Sequence, residues 1–209
     1  AGSPGAKPYF EQAQIAQKEI RQTFAYLDEV KGNVIRYVLK MPETAKVKGD
    51  TVNLRWGPVM DKIDNYDMPT YLLGVAEPND PKDGPLTAKE LRGKLNELHD
   101  KLMKQVESMQ KSDNTKLLPE DFENLKKKIA IIKPTDSGRE EDGIKFTWPL
   151  DNFYHLPMAA VFVNLQKMQL DLANVEAEIL QVFSSASGKL AIKPDRLVAR
   201  AIAPASYVS

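Results

Sequence analysis

Residues 148–183 of the 209-residue chain read WPLDNFYHLPMAAVFVNLQKMQLDLANVEAEILQVF. Eight apolar side chains in this stretch follow one another at alternating steps of three and four residues: Met158, Val161, Leu165, Met168, Leu172, Val175, Ile179 and Val182. This period of 3.5 residues is typical of a helix that packs lengthwise on another helix. Pro157 suits the start of such a helix, and Gly188 suits the residue after its last turn. We therefore predict a helix over residues 157–187, roughly 46 Å long at 1.5 Å per residue, with these eight side chains as its packing seam.

The composition is that of a globular protein, with 42% hydrophobic and 28% charged residues. The 29 basic and 29 acidic residues cancel, so we expect no nucleic-acid partner and no anionic-membrane surface. There is no cysteine, which excludes disulfides and thiol chemistry and suits the cytoplasm and the periplasm equally. The longest uncharged run, residues 152–166, is shorter than the ~18 residues that a membrane-spanning helix needs.

Three more helices are predicted. Residues 9–40 repeat the alternating apolar spacing, and Pro42 ends that helix. Thr87 and Glu90 form a capping box, which opens a helix that we expect to end near residue 112. Pro119 starts a further helix, and Pro134 stops it. The long helix thus has several partners of the same kind, which favours a bundle.

The segments between these helices are predicted to be irregular. Residues 42–56 indicate a loop or a small hairpin, and residues 134–147 a polar loop or short hairpin. Residues 67–85 contain four prolines and two glycines, which indicates a connection. Residues 192–203 alternate like a strand but have no evident partner strand.

These patterns predict a mainly α fold, an elongated bundle of long helices with a short C-terminal β segment. We divide the chain into three parts. Residues 1–7 are interpreted as an expression remnant and disordered start, and residues 8–190 as the helical bundle. Residues 191–209 are interpreted as the start of a truncated, β-rich second domain.

No motif indicates catalysis or a cofactor. The glycine spacing gives no phosphate loop or dinucleotide fingerprint, and the two histidines, His99 and His155, lack the spacing of a zinc helix. Residues 79–90 imitate a calcium loop, but Pro81 stands where a carboxylate or amide ligand is required. We therefore predict no catalytic, cofactor-binding or metal-binding residue, and no enzyme activity.

Two classes of function are compatible with the residues alone. One is a structural module that transmits force, which is favoured by the long seams. The other is an extracytoplasmic helical sensor that binds a ligand between helices near residues 67–85.

The long helix carries a further pattern that resembles the GldM/PorM family: Trp148, Pro157-x-Ala159-Ala160, Leu165-x-Lys167-Met168-Gln169-x-Asp171 and Asn174-x-Glu176-x-Glu178. Weaker similarities follow in the family's order at residues 23–27, 60–65 and 193–204, while residues 67–147 show none. Members of this family are inner-membrane motor proteins of gliding motility and type IX secretion.

The resemblance implies a fold and partners that the residues alone do not give. Family members have one transmembrane helix and a long periplasmic shaft, made of a helical domain followed by β domains. By resemblance, this chain is the first periplasmic domain of an inner-membrane-anchored protein, without its membrane helix. The resemblance also implies a homodimer, a GldL/PorL-type membrane partner, and a periplasmic ring of GldK/PorK-type and GldN/PorN-type proteins. The shaft would transmit torque or conformational change from a motor driven by the proton gradient.

Overall fold

The computed structural model describes residues 6–40 and 59–187. Its helices and strands are α1 (Lys7–Val38), α2 (Asp67–Leu72), α3 (Ala88–Lys111), α4 (Pro119–Ala130), β1 (Glu140–Glu141), β2 (Ile144–Lys145), α5 (Trp148–Phe153) and α6 (Met158–Ala186). The prediction of a mainly α, elongated bundle is confirmed. The predicted C-terminal β segment, the predicted loop or hairpin at 42–56 and the expected helix stop at Gly188 lie outside the described residues.

Four helices, α1, α3, α4 and α6, form an up-down-up-down bundle in which each helix packs on two others. The direction of α3 against α1 follows from two polar contacts. Gln105 Nε2 donates a hydrogen bond to Gln12 Oε1 at 2.8 Å, and the hydroxyl of Tyr26 donates one to Glu90. Residue numbers fall along α3 as they rise along α1, so the two helices are antiparallel.

The longest pair in the bundle is α1 and α6, with 32 and 29 residues. The predicted seam of α6 faces into the bundle of its own chain. Seven of its eight side chains are buried: Met158, Val161, Leu165, Leu172, Val175, Ile179 and Val182. Met168 is partly buried and packs against the same core. The helix begins at Met158 and ends at Ala186, close to the predicted bounds.

A second, smaller apolar cluster lies where α1 ends and α6 begins. Its buried members are Val34, Ile35, Val59 and Met158. The turn that follows Val59 also satisfies the first backbone donors of α6. Met158 N donates to Asn65 O at 3.0 Å, and the next N–H donates to Ile63 O at 3.0 Å. These carbonyls do the work of an N-cap side chain, which Pro157 cannot supply.

The predicted capping box is present, and of the two alternatives for residues 134–147, a polar loop or a short hairpin, the structure shows the hairpin. The hydroxyl of Thr87 accepts a hydrogen bond from Glu90 N at 3.3 Å, and the Glu90 carboxylate reaches back to Leu86 N at 2.8 Å. The strands β1 and β2 are antiparallel. They are joined by Asp142 and Gly143, both with positive φ, as a two-residue hairpin turn requires.

Residues 67–85 were predicted to be an irregular connection, but their first part forms the helix α2. Pro69 is its third residue, where a missing N–H costs no helical hydrogen bond. Asn65 Oδ1 accepts from Met68 N at 2.7 Å, which satisfies another donor of the first turn. A second short helix, α5, precedes the long one and is not predicted by the sequence patterns.

Candidate functional site: the contact between α1 and α6

Two polar side chains interrupt the apolar surface between α1 and α6. Gln169 is only 2% exposed and Glu176 is 8% exposed, and neither belongs to the predicted seam. They are seven residues apart, which is two helical turns or about 10.5 Å along the axis. Both point toward α1, where polar partners meet them at two levels. The α1–α6 contact is therefore apolar in most places and polar at two defined points.

Gln169 uses its whole amide in one network with α1. Its Nε2 donates to Asp28 Oδ1 at 2.7 Å and to the backbone carbonyl of Phe24 at 3.2 Å. Its Oε1 accepts a hydrogen bond from Lys31 Nζ, and that ammonium also pairs with Asp28 at 3.1 Å. A buried amide is stable only when its donors and acceptor are satisfied. The side chain of Gln169 is therefore hydrogen-bonded to three residues of α1.

Glu176 makes the second polar contact. Its Oε1 accepts from Gln17 Nε2 at 2.7 Å and from Arg21 Nε at 3.2 Å. The side chain of Glu176 is nearly buried, while that of Arg21 is well exposed. A carboxylate in this position is stabilised by the two donors from α1 and loses that stabilisation when α1 is displaced.

These contacts also fix the relative direction of the two helices. Gln17 lies beside Glu176, and Lys31 lies beside Gln169, so α1 and α6 are antiparallel. Helix α1 begins at Lys7 and α6 ends at Ala186. Because residue numbers fall along α6 as they rise along α1, the first turn of α1 and the last turn of α6 lie at the same end of the bundle.

A third polar contact joins α3 to α1 near the start of α3. The hydroxyl of Tyr26 donates to Glu90, and the Lys94 ammonium lies 4.7 Å from the centre of the Tyr26 ring. The hydrogen bond from Tyr26 holds the pKa of the Glu90 carboxyl below its ordinary value. Burial, followed by the bond to Glu90, raises the pKa of the Tyr26 hydroxyl far above its ordinary value. The pair therefore stays as tyrosine and carboxylate across the neutral range.

Asp136 ties α5 to α3 in a similar way. It accepts from Trp148 N at 2.7 Å and pairs with Arg92 at 2.9 Å. Burial raises the pKa of this carboxyl, but the hydrogen bond from Trp148 and the charge of Arg92 outweigh burial, and the net pKa is lowered. The ionised form of Asp136 thus fixes the first turn of α5.

A cleft of about 240 Å³ opens beside α6. It is lined by Leu95, Ile131, Ile132, Lys133, Thr135, Trp148, Asn152, Asn164, Lys167, Met168 and Asp171. None of these residues belongs to 67–85, the segment where the sensor hypothesis places a ligand. The partly buried seam residue Met168 forms part of the cleft wall, which accounts for its incomplete burial.

The histidines and the calcium-like loop have structural partners in the described residues. His99 Nδ1 lies 2.8 Å from Asp100, and His155 N donates to the Thr70 hydroxyl at 3.2 Å. Glu90, the last residue of the calcium-like loop, is engaged by Tyr26 and Leu86 N. Within residues 6–40 and 59–187, no three His, Cys, Asp or Glu side chains are grouped to hold a metal ion. Over the same ranges, no helix has both the length and the apolarity needed to cross a bilayer.

The comparison with protein families gives one match. The model described as GldM N-terminal domain covers residues 3–186, which is most of the chain and includes the whole helical bundle. The chain belongs to the GldM family. The match runs through residues 67–147, where the sequence motifs alone showed no resemblance. No curated protein and no solved structure matches the chain at a significant level.

Membership places the chain among proteins of the gliding-motility and type IX secretion motor. The GldM family is a structural component of that motor and is not known as an enzyme family. Its members are membrane-anchored proteins with a periplasmic domain. The α1–α6 contact is therefore a candidate mechanical site.

Gln169 and Glu176 are the functional candidates that the sequence did not reveal. The apolar period predicts one continuous seam, but it does not distinguish a polar residue beside the seam that meets a partner helix from one that meets solvent. One signal was present, because both follow a seam leucine by four residues, after Leu165 and Leu172. A polar residue repeated at that heptad position is typical of a contact that sets helix register.

Proposed function

We propose that this domain is the non-catalytic, periplasmic coupling module of a type IX secretion and gliding motor that is driven by the proton gradient. It transmits torque or conformational change from the inner membrane toward a periplasmic ring. The observation that carries the proposal is the α1–α6 contact, a long apolar packing surface whose register is set at Gln169 and Glu176.

A coupling module must keep its helices from sliding under load, and the polar contacts provide that resistance. Sliding α1 by one helical turn, 5.4 Å, separates Glu176 from Gln17 and Gln169 from Asp28. Gln169 would then lose the partners that satisfy its amide, and Glu176 would lose at least one of its two donors, at a cost of about 1–3 kcal/mol for each buried polar group left unsatisfied and more for a charged one. Apolar packing alone resists sliding less, because one aliphatic side chain replaces another along the seam. The pair should therefore move as one body.

The antiparallel arrangement defines how load crosses the domain. Residues that precede α1 and residues that follow α6 meet the bundle at the same end, so force passes between the helices through their lateral contact. The Glu176 contact is nearer that end than the Gln169 contact, since Gln17 precedes Asp28 in α1. Glu176 is thus the first polar contact to be loaded.

The partners in this proposal follow from the family. The domain works as a homodimer with a GldL/PorL-type membrane protein, which it reaches through the membrane anchor that members of the family carry. GldK/PorK-type and GldN/PorN-type proteins form the ring that receives the motion. The charge balance of the chain supports protein partners rather than nucleic acid.

Cells that carry Glu176→Arg in the full-length motor protein provide the test. The substitution places a cation against Arg21 and Gln17, and we expect gliding and secretion to fall strongly while the protein stays at its normal level. Glu178→Arg, one half-turn away in α6, makes the same charge change outside the contact and should leave both activities near normal. Full activity of a folded Glu176→Arg protein would contradict the proposal.

A further inference from the structure

The outward face of α6 carries a second regular line of side chains, opposite the buried seam. Seven uncharged residues form it, at steps of three and four: Ala159, Val163, Gln166, Leu170, Asn174, Ala177 and Gln181. We call them the neutral stripe. Val163 is 65% exposed and Leu170 is 58% exposed, although both are large aliphatic residues.

The other long helices of the described part present a different surface. The outward face of α1 mixes the charged residues Lys18 and Glu29 with uncharged ones such as Ile15, and that of α3 carries Asp100, Lys104 and Glu107, all exposed. On α6, Lys167 is the charged residue among the exposed positions. Solvent-facing helix surfaces normally carry charged residues, whereas the neutral stripe carries none and exposes two large aliphatic side chains, Val163 and Leu170. The neutral stripe is therefore a surface suited to contact with another helix.

We propose that the neutral stripe of α6 packs lengthwise, in parallel, on the neutral stripe of a second copy of this chain. The inference rests on the dimer of the proposed function and assigns the surface through which it forms. A second copy fits because the stripe meets only aliphatic and amide side chains when it meets itself. Amide residues at such positions pair with their own copies and fix the register of parallel helices.

The charges on the two edges of the stripe support a parallel pair. Lys167 lies on the edge away from α1 and makes no ion pair within the described residues. Asp28 lies on the α1 edge, with its side chain 57% exposed, at the level of Gln169, to which it is bonded. A two-fold axis parallel to α6 brings opposite edges together. Lys167 of each copy would then face Asp28 of the other at nearly the same height.

Single-cysteine variants test this surface directly, because the chain has no cysteine of its own. In a parallel pair each stripe position meets its own copy, so Val163→Cys, Leu170→Cys and Ala177→Cys should each form a disulfide-linked dimer under mild oxidation. Ile15→Cys is the matched control, since Ile15 is a similarly exposed aliphatic residue on α1. It should cross-link only at the level of random collision.

Light scattering of the same 209-residue chain shows whether a dimer forms at all, independently of which surface it uses. Leu170→Glu should raise the dimer dissociation constant at least about tenfold, and Ile15→Glu should leave it unchanged. A dimer whose three stripe cysteines cross-link no better than Ile15→Cys overturns the assigned surface but leaves the homodimer standing. Cross-linking at Leu170→Cys alone overturns the parallel arrangement. A chain that is monomeric at every concentration and does not cross-link overturns both the surface and the dimer.

Discussion

The Nε2 atom of Gln17 in α1 lies 2.7 Å from Oε1 of Glu176 in α6. The two residues are 159 positions apart in the chain, so the hydrogen bond closes the bundle between its first and last long helices. Arg21, one turn further along α1, donates to the same oxygen. This arrangement fixes both the direction and the axial position of α6 against α1.

Glu176→Ala should lower the free energy of unfolding by about 1–2 kcal/mol, the contribution of hydrogen bonds to a charged group whose partners remain partly hydrated. Urea denaturation followed by circular dichroism measures this change. Glu178→Ala is the control, because it truncates the same side chain on the same helix outside the contact. Equal stability of the two variants would show that the Glu176 contact does not stabilise the helix pair.

Gln169→Ala should be more damaging, because the amide is buried and satisfies three groups of α1. Truncation leaves the Phe24 carbonyl without that donor and also opens a small cavity, with an expected loss of about 2–3 kcal/mol. Gln14→Ala makes the same change at an exposed position of α1 and should cost less than ~0.5 kcal/mol. If both variants unfold at the same urea concentration, the Gln169 network does not contribute to stability.

Leu165→Ala and Leu172→Ala test the apolar part of the contact. Both leucines are fully buried, so each truncation should cost about 2–5 kcal/mol through lost burial and an unfilled cavity. Leu118 is 69% exposed, and Leu118→Ala should be close to neutral in the same urea titration. If both variants lose little free energy of unfolding, the seam is not packed as the structure shows.

The helices could be predicted from sequence because their signals are local. The 3.5-residue period that includes Leu165 and Leu172 gave the long helix, and Thr87 with Glu90 gave the start of α3. The six-residue helix α2 escaped prediction, because its stability depends on Asn65 and on packing against the start of α6. The polar contacts could not be predicted either, because they also depend on residues that are distant in sequence. Nothing next to Glu176 in the sequence indicates that Gln17 is its partner.

The site was harder to predict than the fold because it consists of a relationship between distant residues. A glutamine beside an apolar seam has the same local signature on a surface as in a buried network. Only the position of α1 decides that Gln169 is buried. The 3.5-residue period constrains which face of α6 is covered, but leaves open which polar residues border a partner.

Tyr26→Phe should destabilise the protein in a manner that depends on pH. The hydrogen bond to the Glu90 carboxylate lowers the pKa of that group in the folded state. Its stabilising effect is therefore complete above the ordinary carboxyl pKa of 4.5 and is lost as the pH falls through the lower, folded-state value. We expect Tyr26→Phe to cost about 1 kcal/mol at pH 7 and distinctly less in strong acid.

Urea titrations at pH 7 and at pH 3 measure this difference. Tyr37→Phe removes a hydroxyl from an exposed tyrosine of the same helix and should change stability little at either pH. A loss for Tyr26→Phe that is equal at both pH values would contradict the assigned role of the ionised Glu90 carboxylate.

The most direct test of the central claim is a charge exchange across the α1–α6 contact in the complete motor. Gliding speed and type IX secretion would be measured in cells that carry Glu176→Arg alone or together with Arg21→Glu. The account predicts that the single substitution stops or strongly slows both activities and that the double substitution restores them, because the opposite charges again meet across the helices. Normal activity of the single variant, at a normal protein level, would contradict the claim that this contact transmits the motion of the motor.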